Sequence, residues 1–301
     1  MRVLVCGGAG FIGSHFVKRL LRGGDDVVVL DKLTYSGNRE NLPDGVDLRR
    51  GDIAEPSDVG GAARGCDAIV NFAAETHVDR SILAAEDFGR TEFRGTQVLL
   101  EHVRETRIRL VQVSTDEVYG DLEAGGSSTE HDPLHPSSPY SAAKAAGDLL
   151  VPAYHRTFGV DASITRGSNT YGPHQYPEKF VPLFVTNALD GKELPLYGDG
   201  RQVRDWLHVD DHCAGIELAG ADRALLRRVD DRPGHDRRYS LETTKLRGLG
   251  WEPRTPFAQG LADTVAWYRD NRAWWERIKS GDYREYYERQ YGDRLANASA
   301  V

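Results

Sequence analysis

The sequence lacks the patterns that mark several classes of protein. It has three cysteines in 301 residues and no CxxC or Cys/His ligand spacing, so neither a disulfide framework nor a zinc site is indicated, and we expect no metal. No apolar run approaches the ~20 residues that a membrane span needs, so we expect no membrane partner. The net charge of -8 is accompanied by no basic stripe, which argues against a nucleic-acid partner.

What the sequence does contain is an alternation of short β-branched runs and helix-like stretches. The runs RVLVCGG, DVVVLD, DAIVNFAA and RLVQVST are separated in several places by segments such as GSHFVKRLLRG. This alternation predicts βαβ units around a parallel sheet with both faces covered, an α/β doubly wound fold of the Rossmann type. No signal-peptide pattern precedes the opening run, so we expect a cytoplasmic protein.

The composition changes after Arg166. Proline, glycine, aromatic and basic residues occur together in loop-like stretches such as YGPHQYPEKFVPLF and GKELPLYGDGRQVRDWLHVDD. We therefore predict a Rossmann domain over residues 1–165, joined by part of 206–219, and a smaller C-terminal substrate-binding lobe over residues 166–205 and 220–301.

A glycine pattern near the N-terminus predicts a dinucleotide site. In GGAGFIG, Gly7, Gly10 and Gly13 follow a strand and open a helix, where glycines let the backbone approach a pyrophosphate. Asp31 ends the second strand, where a carboxylate would accept hydrogen bonds from the ribose diol and repel a 2′-phosphate, which favours NAD over NADP. Asp31 could instead be a turn or helix-cap residue, and Lys32 beside it leaves the NADP alternative open.

The segment YSAAK places Tyr140 and Lys144 four residues apart, on one helix face. An ammonium group beside a phenol favours the phenolate and lowers the tyrosine pKa, which makes a base for a sugar hydroxyl near neutral pH. Because exposed Tyr/Lys pairs are common on helices, the pair is informative only downstream of a dinucleotide-binding fold.

Two adjacent acids follow the strand RLVQVST. In STDEVYG, Thr115, Asp116 and Glu117 stand where that strand ends. They either cap a helix N-terminus or offer two carboxylates to a ligand. Repulsion between adjacent carboxylates helps to keep one of them protonated, so such a pair can supply an acid and a base together.

Taken together, GxxGxxG, NFAAETHVDRS, STDEVYG, YxxxK and SNTYGPHQYPEK resemble the motifs of the extended short-chain dehydrogenase/reductase superfamily, and within it the dTDP-glucose 4,6-dehydratase family. The resemblance extends from Met1 to about Trp275, and the Thr-Asp-Glu triplet is its most specific part. It implies an NAD-dependent lyase that acts on the nucleotide sugar dTDP-glucose in deoxysugar biosynthesis, and it suggests a homodimer.

Such an enzyme oxidises carbon 4 of the glucosyl ring, eliminates water across carbons 5 and 6, and returns the hydride to carbon 6. By resemblance, Tyr140 and Lys144 serve the oxidation, Thr115 hydrogen-bonds the oxygen on carbon 4, Asp116 is the acid of the elimination, and Glu117 is its base. The alternatives are a UDP-sugar 4,6-dehydratase, an epimerase or a decarboxylase of the same fold, and a non-catalytic NAD-binding protein. The sequence does not distinguish thymidine from uridine.

The resemblance also implies ligand contacts elsewhere. The implied cofactor contacts are Gly7, Gly10, Phe11, Ile12, Gly13, Asp31, Lys32, Thr34, Asp52, Ile53, Phe72, Ala73, Ala74, Thr76, Thr91, Tyr140 and Lys144. The implied substrate contacts are Thr76, Thr115, Asn169, Lys179, Phe180, Pro195, Tyr197, Arg204, Arg232 and His235. Among these, Lys179 and Arg204 suit pyrophosphate oxygens.

The sequence departs from the family pattern in two places. Thr170 stands where an asparagine is common, which puts one cofactor-side contact in doubt. After HVDDHCAGIELA, family members usually carry a further strand and helix, whereas here Ala219 is followed directly by Gly220. Because loss of a core strand is hard to survive, we predict that these two residues are separated in space by more than the ~3.8 Å of peptide-linked Cα atoms.

Overall fold

The computed structural model describes residues 1–76, 85–122, 126–195, 202–221, 238–280 and 283–289. They belong to two compact units, of which the first joins Met1–Thr170 with Val203–Arg254 and the second joins Tyr171–Gln202 with Thr255–Val301. The predicted Rossmann domain, residues 1–165 with part of 206–219, has narrower bounds than this first unit.

The first unit is built on a six-stranded sheet in which every pairing is parallel, which confirms the predicted α/β doubly wound fold. Its strands are β1 (Arg2–Cys6), β2 (Asp26–Asp31), β3 (Asp47–Arg50), β4 (Ala68–Asn71), β5 (Arg109–Thr115) and β6 (Ala162–Gly167). Their order, β3-β2-β1-β4-β5-β6, reverses beside β1. Sheets of this kind bind ligands at such a reversal, at the carboxyl ends of the strands.

Four short strands lie outside the sheet: β7 (Asn169–Tyr171), β8 (Val203–Arg204), β9 (Trp206–His208) and β10 (Arg238–Tyr239). β7 pairs with β9, and β8 pairs with β10. The β7–β9 pairing joins the segment Val203–Arg254 to the earlier part of the chain, and the β8–β10 pairing lies within that segment. The loop-like composition that favoured a separate lobe there gave no sign of them.

A 3-10 turn spans Arg39–Asn41, and the other helices and helical turns of the described residues follow in chain order. They are α1 (Phe11–Gly23), α2 (Pro56–Ala62), α3 (Ala85–Gly89), a π-helical turn (Arg90–Gly95), α4 (Thr96–Thr106), a 3-10 turn (Asp116–Tyr119), α5 (Pro139–Phe158), α6 (Phe180–Leu189), α7 (Val209–Ala221), α8 (Thr244–Gly248), α9 (Phe257–Asp270) and α10 (Arg272–Lys279). Helices α6, α9 and α10 belong to the second unit. Among the described residues, no helix is long and apolar enough to cross a bilayer.

Two apolar clusters cover the faces of the sheet. Alternate residues of a strand point to opposite faces, so Leu4 and Val28 pack in one cluster, whereas Val5 and Val29 pack in the other. The first cluster includes residues of α2, α4 and α5, and the second includes residues of α1 and α7. The near-continuous apolar runs predicted as strands are explained by this burial on both faces.

The second unit has an aromatic core. Tyr268 and Trp275 are fully buried, and the Trp275 Nε1–H donates to the carbonyl oxygen of Tyr268 at 2.7 Å. At the end of α6, the Lys279 ammonium donates to Thr186 Oγ1 at 3.1 Å and to Asn187 Oδ1 at 2.9 Å. The aromatic side chains of this segment thus provide packing for the second unit.

The predicted separation of Ala219 and Gly220 is wrong. Both residues lie within α7, which runs without interruption from Val209 to Ala221. Ala219 is buried, and a Cβ added at Gly220 would lie 3.4 Å from the Val111 side chain, so this part of α7 packs closely on β5. Helix α7 is therefore continuous through Ala219 and Gly220.

Candidate active site

The loop between β1 and α1 is shaped for close approach of a ligand to the backbone. Gly7 has a φ of 70°, and a Cβ there would lie 2.5 Å from the backbone nitrogen of Ala73. Gly10 is the N-cap of α1 and provides no side-chain acceptor for the first helical N–H groups. A Cβ on Gly13 would collide with the Gly7 carbonyl oxygen. The loop therefore forms a cradle without side chains at the positive end of a helix, which suits a pyrophosphate.

Asp31 lies at the end of β2 and is 8% exposed. Its Oδ2 accepts the backbone N–H of Ala9 at 2.9 Å, and its Oδ1 accepts that of Leu33 at 2.8 Å. Burial raises the pKa of Asp31 against the opposing effect of these two hydrogen bonds. Asp31 is thus a turn residue that ties the glycine loop to β2. Since each carboxylate oxygen has a second lone pair, it can also accept hydroxyl groups of a ribose.

The neighbouring lysine, whose side chain is 48% exposed, is paired with an acid. The Lys32 ammonium lies 3.2 Å from Asp52 Oδ2, and the Arg90 guanidinium lies 3.2 Å from the same oxygen. Burial alone would raise the pKa of Asp52, but the Ala54 N–H and the two cations outweigh burial and hold that pKa below its usual value. Because an ionised carboxylate offsets the charge of Lys32, the structure gives little support to a 2′-phosphate site at this lysine.

The other residues implied for the cofactor differ in their surroundings. Ile53 is 4% exposed and packs in the apolar cluster beside α2 and α4, so it contributes to the core. Phe72 packs on Phe16 with ring centroids 5.2 Å apart, and Thr76 Oγ1 lies 3.3 Å from the Tyr35 hydroxyl. Four further residues are half-buried in the loops at this edge or in the first turn of α1: Phe11, Ile12, Thr34 and Ala74. Thr91 is buried in the π-helical turn.

The Thr-Asp-Glu triplet lies where β5 ends and the 3-10 turn begins. Thr115 is the N-cap of that turn, and its Oγ1 accepts the Glu117 backbone N–H at 3.2 Å. The same hydroxyl donates to Asp116 Oδ1 at 3.1 Å. The capping interpretation is therefore correct for Thr115, and it is compatible with a ligand site because the turn presents its side chains at the carboxyl edge of the sheet.

Asp116 is a buried acid with an incomplete set of partners. Its side chain is 3% exposed, and its Oδ2 has no hydrogen-bond partner among the described residues. Burial, and next to it the charge of Glu117, raise the pKa of Asp116 to about 8, although the Thr115 hydroxyl and the charge of Arg204 oppose the rise. The repulsion expected from the sequence is thus present, and Asp116 is the acid that it helps to keep protonated near pH 7.

A capping box fixes the start of α5, which carries Tyr140 and Lys144. The Ser138 Oγ accepts the Ser141 backbone N–H at 3.1 Å, the Ser138 N–H donates to the Ser141 Oγ at 3.0 Å, and Pro139 occupies the first turn. Caps of this kind contribute about 1 kcal/mol. Tyr140 is therefore held at the first turn of the helix, and Lys144 one turn later.

Lys144 lies in the interior and is paired there with an acid. Its side chain is 5% exposed, and its ammonium lies 3.1 Å from the Oε2 of Glu92, which is 1% exposed. The ammonium also donates to the carbonyl oxygen of Val113 in β5 at 3.1 Å. A buried ammonium ion is tolerated only with such partners.

The expected lowering of the Tyr140 pKa is not found. Burial raises that pKa well above the usual value, followed by the charges of Glu117, Glu92 and Asp116. The physical reason is first the burial of the phenol, to which the negative charges of nearby acids, Glu117 foremost, add. The five predicted catalytic residues are nevertheless brought together at the end of β5 and the start of α5.

The residues implied for the substrate are divided between the two units. Asn169 in β7 and Arg204 in β8 belong to the first unit, and the effect of Arg204 on the Asp116 pKa places its guanidinium near that acid. The second unit contains Lys179, which is the N-cap of α6, the exposed Phe180, and Pro195. Tyr197, Arg232 and His235 lie outside the described residues. The hydroxyl of Thr170, the departure noted above, lies 2.8 Å from His212 Nδ1.

Sequence reasoning missed the charged groups that surround the predicted residues. Glu92 was not identified, since a glutamate in a helical stretch is usually exposed and the π-helical turn gives no sequence signal. A second buried pair joins Arg166 Nε to Asp148 Oδ2 at 2.8 Å, and Arg166 also donates to the Tyr119 hydroxyl at 2.9 Å. The position of Asp148 four residues after Lys144 placed an acid on the same helix face as the lysine, but it did not indicate the pairing with Arg166.

Comparison with known proteins gives a consistent result. Residues 3–227 match the model of the NAD dependent epimerase/dehydratase family. A dTDP-glucose 4,6-dehydratase of Streptomyces niveus is 52% identical over 326 aligned positions, which cover 94% of this chain and 97% of the relative. Because 326 positions exceed the 301 residues of this chain, the relative has residues that this chain lacks. The resemblance read from the motifs is confirmed.

Solved structures agree with the sequence comparison. The dTDP-glucose 4,6-dehydratase DesIV of Streptomyces venezuelae, crystallised with NAD bound, is 50% identical, with a TM-score of 0.85, and the match covers 93% of this chain and 100% of that chain. A UDP-glucose 4-epimerase of Thermus thermophilus in complex with NAD is 31% identical, with a TM-score of 0.81 and coverage of 90% and 100%.

Proposed function

Because the chain belongs to the NAD dependent epimerase/dehydratase family, we propose that it converts dTDP-glucose to dTDP-4-keto-6-deoxyglucose. Its relatives named as dTDP-glucose 4,6-dehydratases support this assignment. The observation that carries it is the pair of adjacent acids at the end of β5, in which Asp116 has a pKa raised to about 8 beside Glu117. An oxidation alone needs no such pair, whereas an elimination of water needs one acid and one base.

The first unit suits NAD as the cofactor. In the loop between β1 and α1, side chains at Gly7 and Gly13 would collide with neighbouring backbone atoms. Because both residues are glycine, the loop leaves space for a pyrophosphate. Asp31 has lone pairs for a ribose diol. When bound, NAD accepts the hydride from carbon 4 and returns it to carbon 6. The residues of the chain bind and orient the sugar and move the protons.

The oxidation requires removal of the proton from the hydroxyl on carbon 4. Tyr140 is the base for this step, and Lys144 supports its phenolate through its positive charge. The Thr115 hydroxyl, which lies beside Asp116, orients the oxygen on carbon 4. Once the ketone has formed there, the hydrogen on carbon 5 becomes acidic.

The elimination then uses the two acids in different protonation states. Glu117 accepts the proton of carbon 5, and protonated Asp116 gives its proton to the hydroxide that leaves carbon 6. Glu117 returns its proton to carbon 5 when the hydride arrives at carbon 6. In each turnover Tyr140 therefore gains one proton and Asp116 loses one, so one proton must return from the first to the second.

The resemblance implies further contacts for the rest of the substrate. Lys179 and Arg204 carry charges that suit a diphosphate, and Asn169, Phe180 and Pro195 are further contacts implied by the resemblance. We also propose that the enzyme works as a homodimer in the cytoplasm, as expected from the sequence. The roles of Tyr197, Arg232 and His235 remain expectations of the same kind.

A panel of nucleotide sugars tests the proposal. The protein is incubated with NAD and with dTDP-glucose, UDP-glucose, GDP-glucose or UDP-glucuronate, and alkali is added to reveal the absorbance of a 4-keto sugar. We expect this absorbance with dTDP-glucose, together with a 6-deoxy methyl signal in the proton NMR spectrum. Formation of dTDP-galactose would indicate an epimerase, loss of carbon dioxide from UDP-glucuronate a decarboxylase, and selective reaction of UDP-glucose a UDP-sugar dehydratase. No reaction with any sugar would favour a non-catalytic protein.

A further inference from the structure

Glu92 is a fully buried acid that no part of the proposed mechanism uses. It lies in the π-helical turn, is 1% exposed, and its Oε2 lies 3.1 Å from the Lys144 ammonium. Its Oε1 has no hydrogen-bond partner among the described residues. Single π-helical turns occur frequently at functional sites. The side chain thus contacts the lysine of the YxxxK motif from a second helix.

The backbone around Glu92 is packed so that this contact is enforced. A Cβ on Gly147 of α5 would lie only 2.7 Å from the Glu92 carbonyl oxygen and 3.2 Å from Thr96 Oγ1. Glycine at this position therefore lets α5 approach the π-helical turn closely. On its other side the Lys144 ammonium is held by the Val113 carbonyl oxygen at 3.1 Å. The ammonium is thereby fixed between β5 and the π-helical turn.

Several other charges surround the pair, and they define what Glu92 can do. Burial raises the pKa of Glu92, the charge of Lys144 lowers it, and Asp148 and Glu75 raise it further. Asp148 is itself paired with Arg166. The network of Lys144, Glu92, Asp148 and Arg166 is therefore neutral as a whole when all four groups are ionised.

The phenol of Tyr140 is surrounded by acids. After burial, the groups that raise its pKa are Glu117, Glu92, Asp116 and Tyr35, in that order. The only cation that the YxxxK motif offers to the phenol is Lys144, and the charge of that cation is offset by Glu92.

We propose that Glu92 is the positioning residue for Lys144, holding its ammonium against the Val113 carbonyl and offsetting the charge that Tyr140 would otherwise experience. This rests on the proposed function in so far as it takes Tyr140 to be the base for the sugar hydroxyl. Glu92 thereby sets the pH range in which the phenol ionises. It keeps Tyr140 protonated in the absence of substrate and permits a lysine to remain charged in the interior.

Titration of Tyr140 tests this inference without any substrate. In the NAD-loaded protein, tyrosinate absorbance is recorded against pH for the wild type and for Glu92→Gln. The curve of Tyr140→Phe is subtracted from that of the wild type, and the curve of Glu92→Gln/Tyr140→Phe is subtracted from that of Glu92→Gln. Each difference is the titration of Tyr140. Glutamine keeps the acceptor for Lys144 but removes the charge. The Lys144 charge is then no longer offset, so we expect the Tyr140 pKa to fall by about one unit. An unchanged or raised pKa would overturn the proposal.

Two further variants keep the test decisive. Glu105 is an exposed acid at the far end of α4, and Glu105→Gln, which removes the same charge, should leave the titration unchanged. If Glu92→Gln folds poorly, Lys144→Met/Glu92→Gln removes both charges and leaves no unpaired ion in the interior. The Tyr140 pKa of this double variant should stay within about half a unit of the wild-type value, whereas Lys144→Met alone should raise it. If the Tyr140 pKa were the same in Lys144→Met and in Lys144→Met/Glu92→Gln, the proposed role of Glu92 would be contradicted.

A kinetic measurement connects the titration to catalysis. On rapid mixing of the NAD-loaded protein with dTDP-glucose, the acid limb of the rate of cofactor reduction should move to lower pH in Glu92→Gln by the same amount as the titration. Loss of rate at every pH without a shift of the limb would indicate a merely structural role and would overturn the inference. If the wild type reduced no cofactor at all, the proposed function would fail, while the titration would still decide the role of Glu92.

Discussion

Two buried ionisable groups lie on either side of the candidate site, and they differ in their partners. Lys144 is 5% exposed and is paired with Glu92. Asp116 is 3% exposed, and its Oδ2 has no partner in the described part of the chain. A buried charge must be paired or neutralised. Lys144 has a carboxylate partner in the interior, whereas burial and the charge of Glu117 raise the pKa of Asp116 to about 8 and keep that acid protonated near pH 7.

This difference assigns the two chemical steps to two regions. The start of α5, with Tyr140 and Lys144, contains the groups that suit removal of a hydroxyl proton. The 3-10 turn, with Asp116 and Glu117, contains an acid and a base that suit an elimination. Substitutions in the first region should therefore affect the oxidation, and substitutions in the second region should affect the steps that follow it.

The largest effect is expected from Tyr140→Phe. Loss of the phenol removes the base for the hydroxyl on carbon 4, so the rate of cofactor reduction should fall by a factor of about 100 to 10,000. The measurement is the absorbance of reduced cofactor after rapid mixing with dTDP-glucose. A variant that reduced NAD at the wild-type rate would remove Tyr140 from the oxidation and would break the division between the two regions.

Glu117→Gln should give the next largest effect, and it should act after the oxidation. The glutamine keeps the shape of the side chain but cannot accept the proton of carbon 5, so exchange of that hydrogen with solvent should fall by a factor of about 100. Reduced cofactor should accumulate because the sugar is oxidised and then stalls. Glu105→Gln, which also removes one carboxylate charge, serves as the control for the change in net charge. Loss of cofactor reduction to the extent seen in Tyr140→Phe would refute the assignment of Glu117 as the elimination base.

A smaller effect is expected from Asp116→Asn. The amide cannot give a proton to the leaving hydroxide, so formation of the 4-keto-6-deoxy product should slow by a factor of about 10 to 100, while oxidation and carbon-5 exchange are less affected. Product formation is followed by the alkali absorbance and exchange by NMR in deuterated water. If the variant instead loses carbon-5 exchange and retains water loss, the roles of the two acids must be reversed.

A separate effect concerns stability and its dependence on pH. Because the Asp116 pKa is raised from 3.8 to about 8 in the folded protein, the stabilising proton is fully bound below about pH 4 and is lost as the pH rises through about 8. Asp116→Asn has no such proton to lose. Its free energy of unfolding relative to the wild type should therefore increase between pH 5 and pH 8.5, by an amount on the order of a few kcal/mol.

Urea unfolding of both proteins at these two pH values measures the difference. All other titrating groups are common to the two proteins and cancel when the difference is taken. A difference that is the same at pH 5 and pH 8.5 would show that Asp116 is not kept protonated by its surroundings, and the contrast with Lys144 would disappear.

Much of the fold and the location of the site could be predicted because they depend on local patterns. The β-branched runs gave the parallel strands, and the glycine loop, the strand-end acids and YxxxK gave the residues that the structure brings together. The boundary of the second unit was not predictable, because the two short strand pairs β7–β9 and β8–β10 depend on contacts between distant segments. The continuity of α7 through Ala219 also overrode an expectation based on the length of relatives.

The electrostatics of the site were the least predictable part. The lowered Tyr140 pKa was inferred from Lys144 alone, since nothing in the sequence shows that Glu92 points inward from a π-helical turn. By contrast, the raised pKa of Asp116 was predictable in direction, because the acid that opposes it is its neighbour in the chain. A pair four residues apart on one helix is visible in a sequence, whereas a counter-ion on another helix requires the tertiary structure.

The most direct test of the account follows the hydrogen on carbon 4. The wild-type protein is given dTDP-glucose deuterated at carbon 4, in ordinary water, and the product is examined by NMR and mass spectrometry. The account predicts that the deuterium appears in the methyl group at carbon 6, because the hydride removed from carbon 4 is returned to carbon 6 after the elimination. Deuterium retained at carbon 4, or lost to the solvent, would contradict an oxidation and an elimination performed in one site.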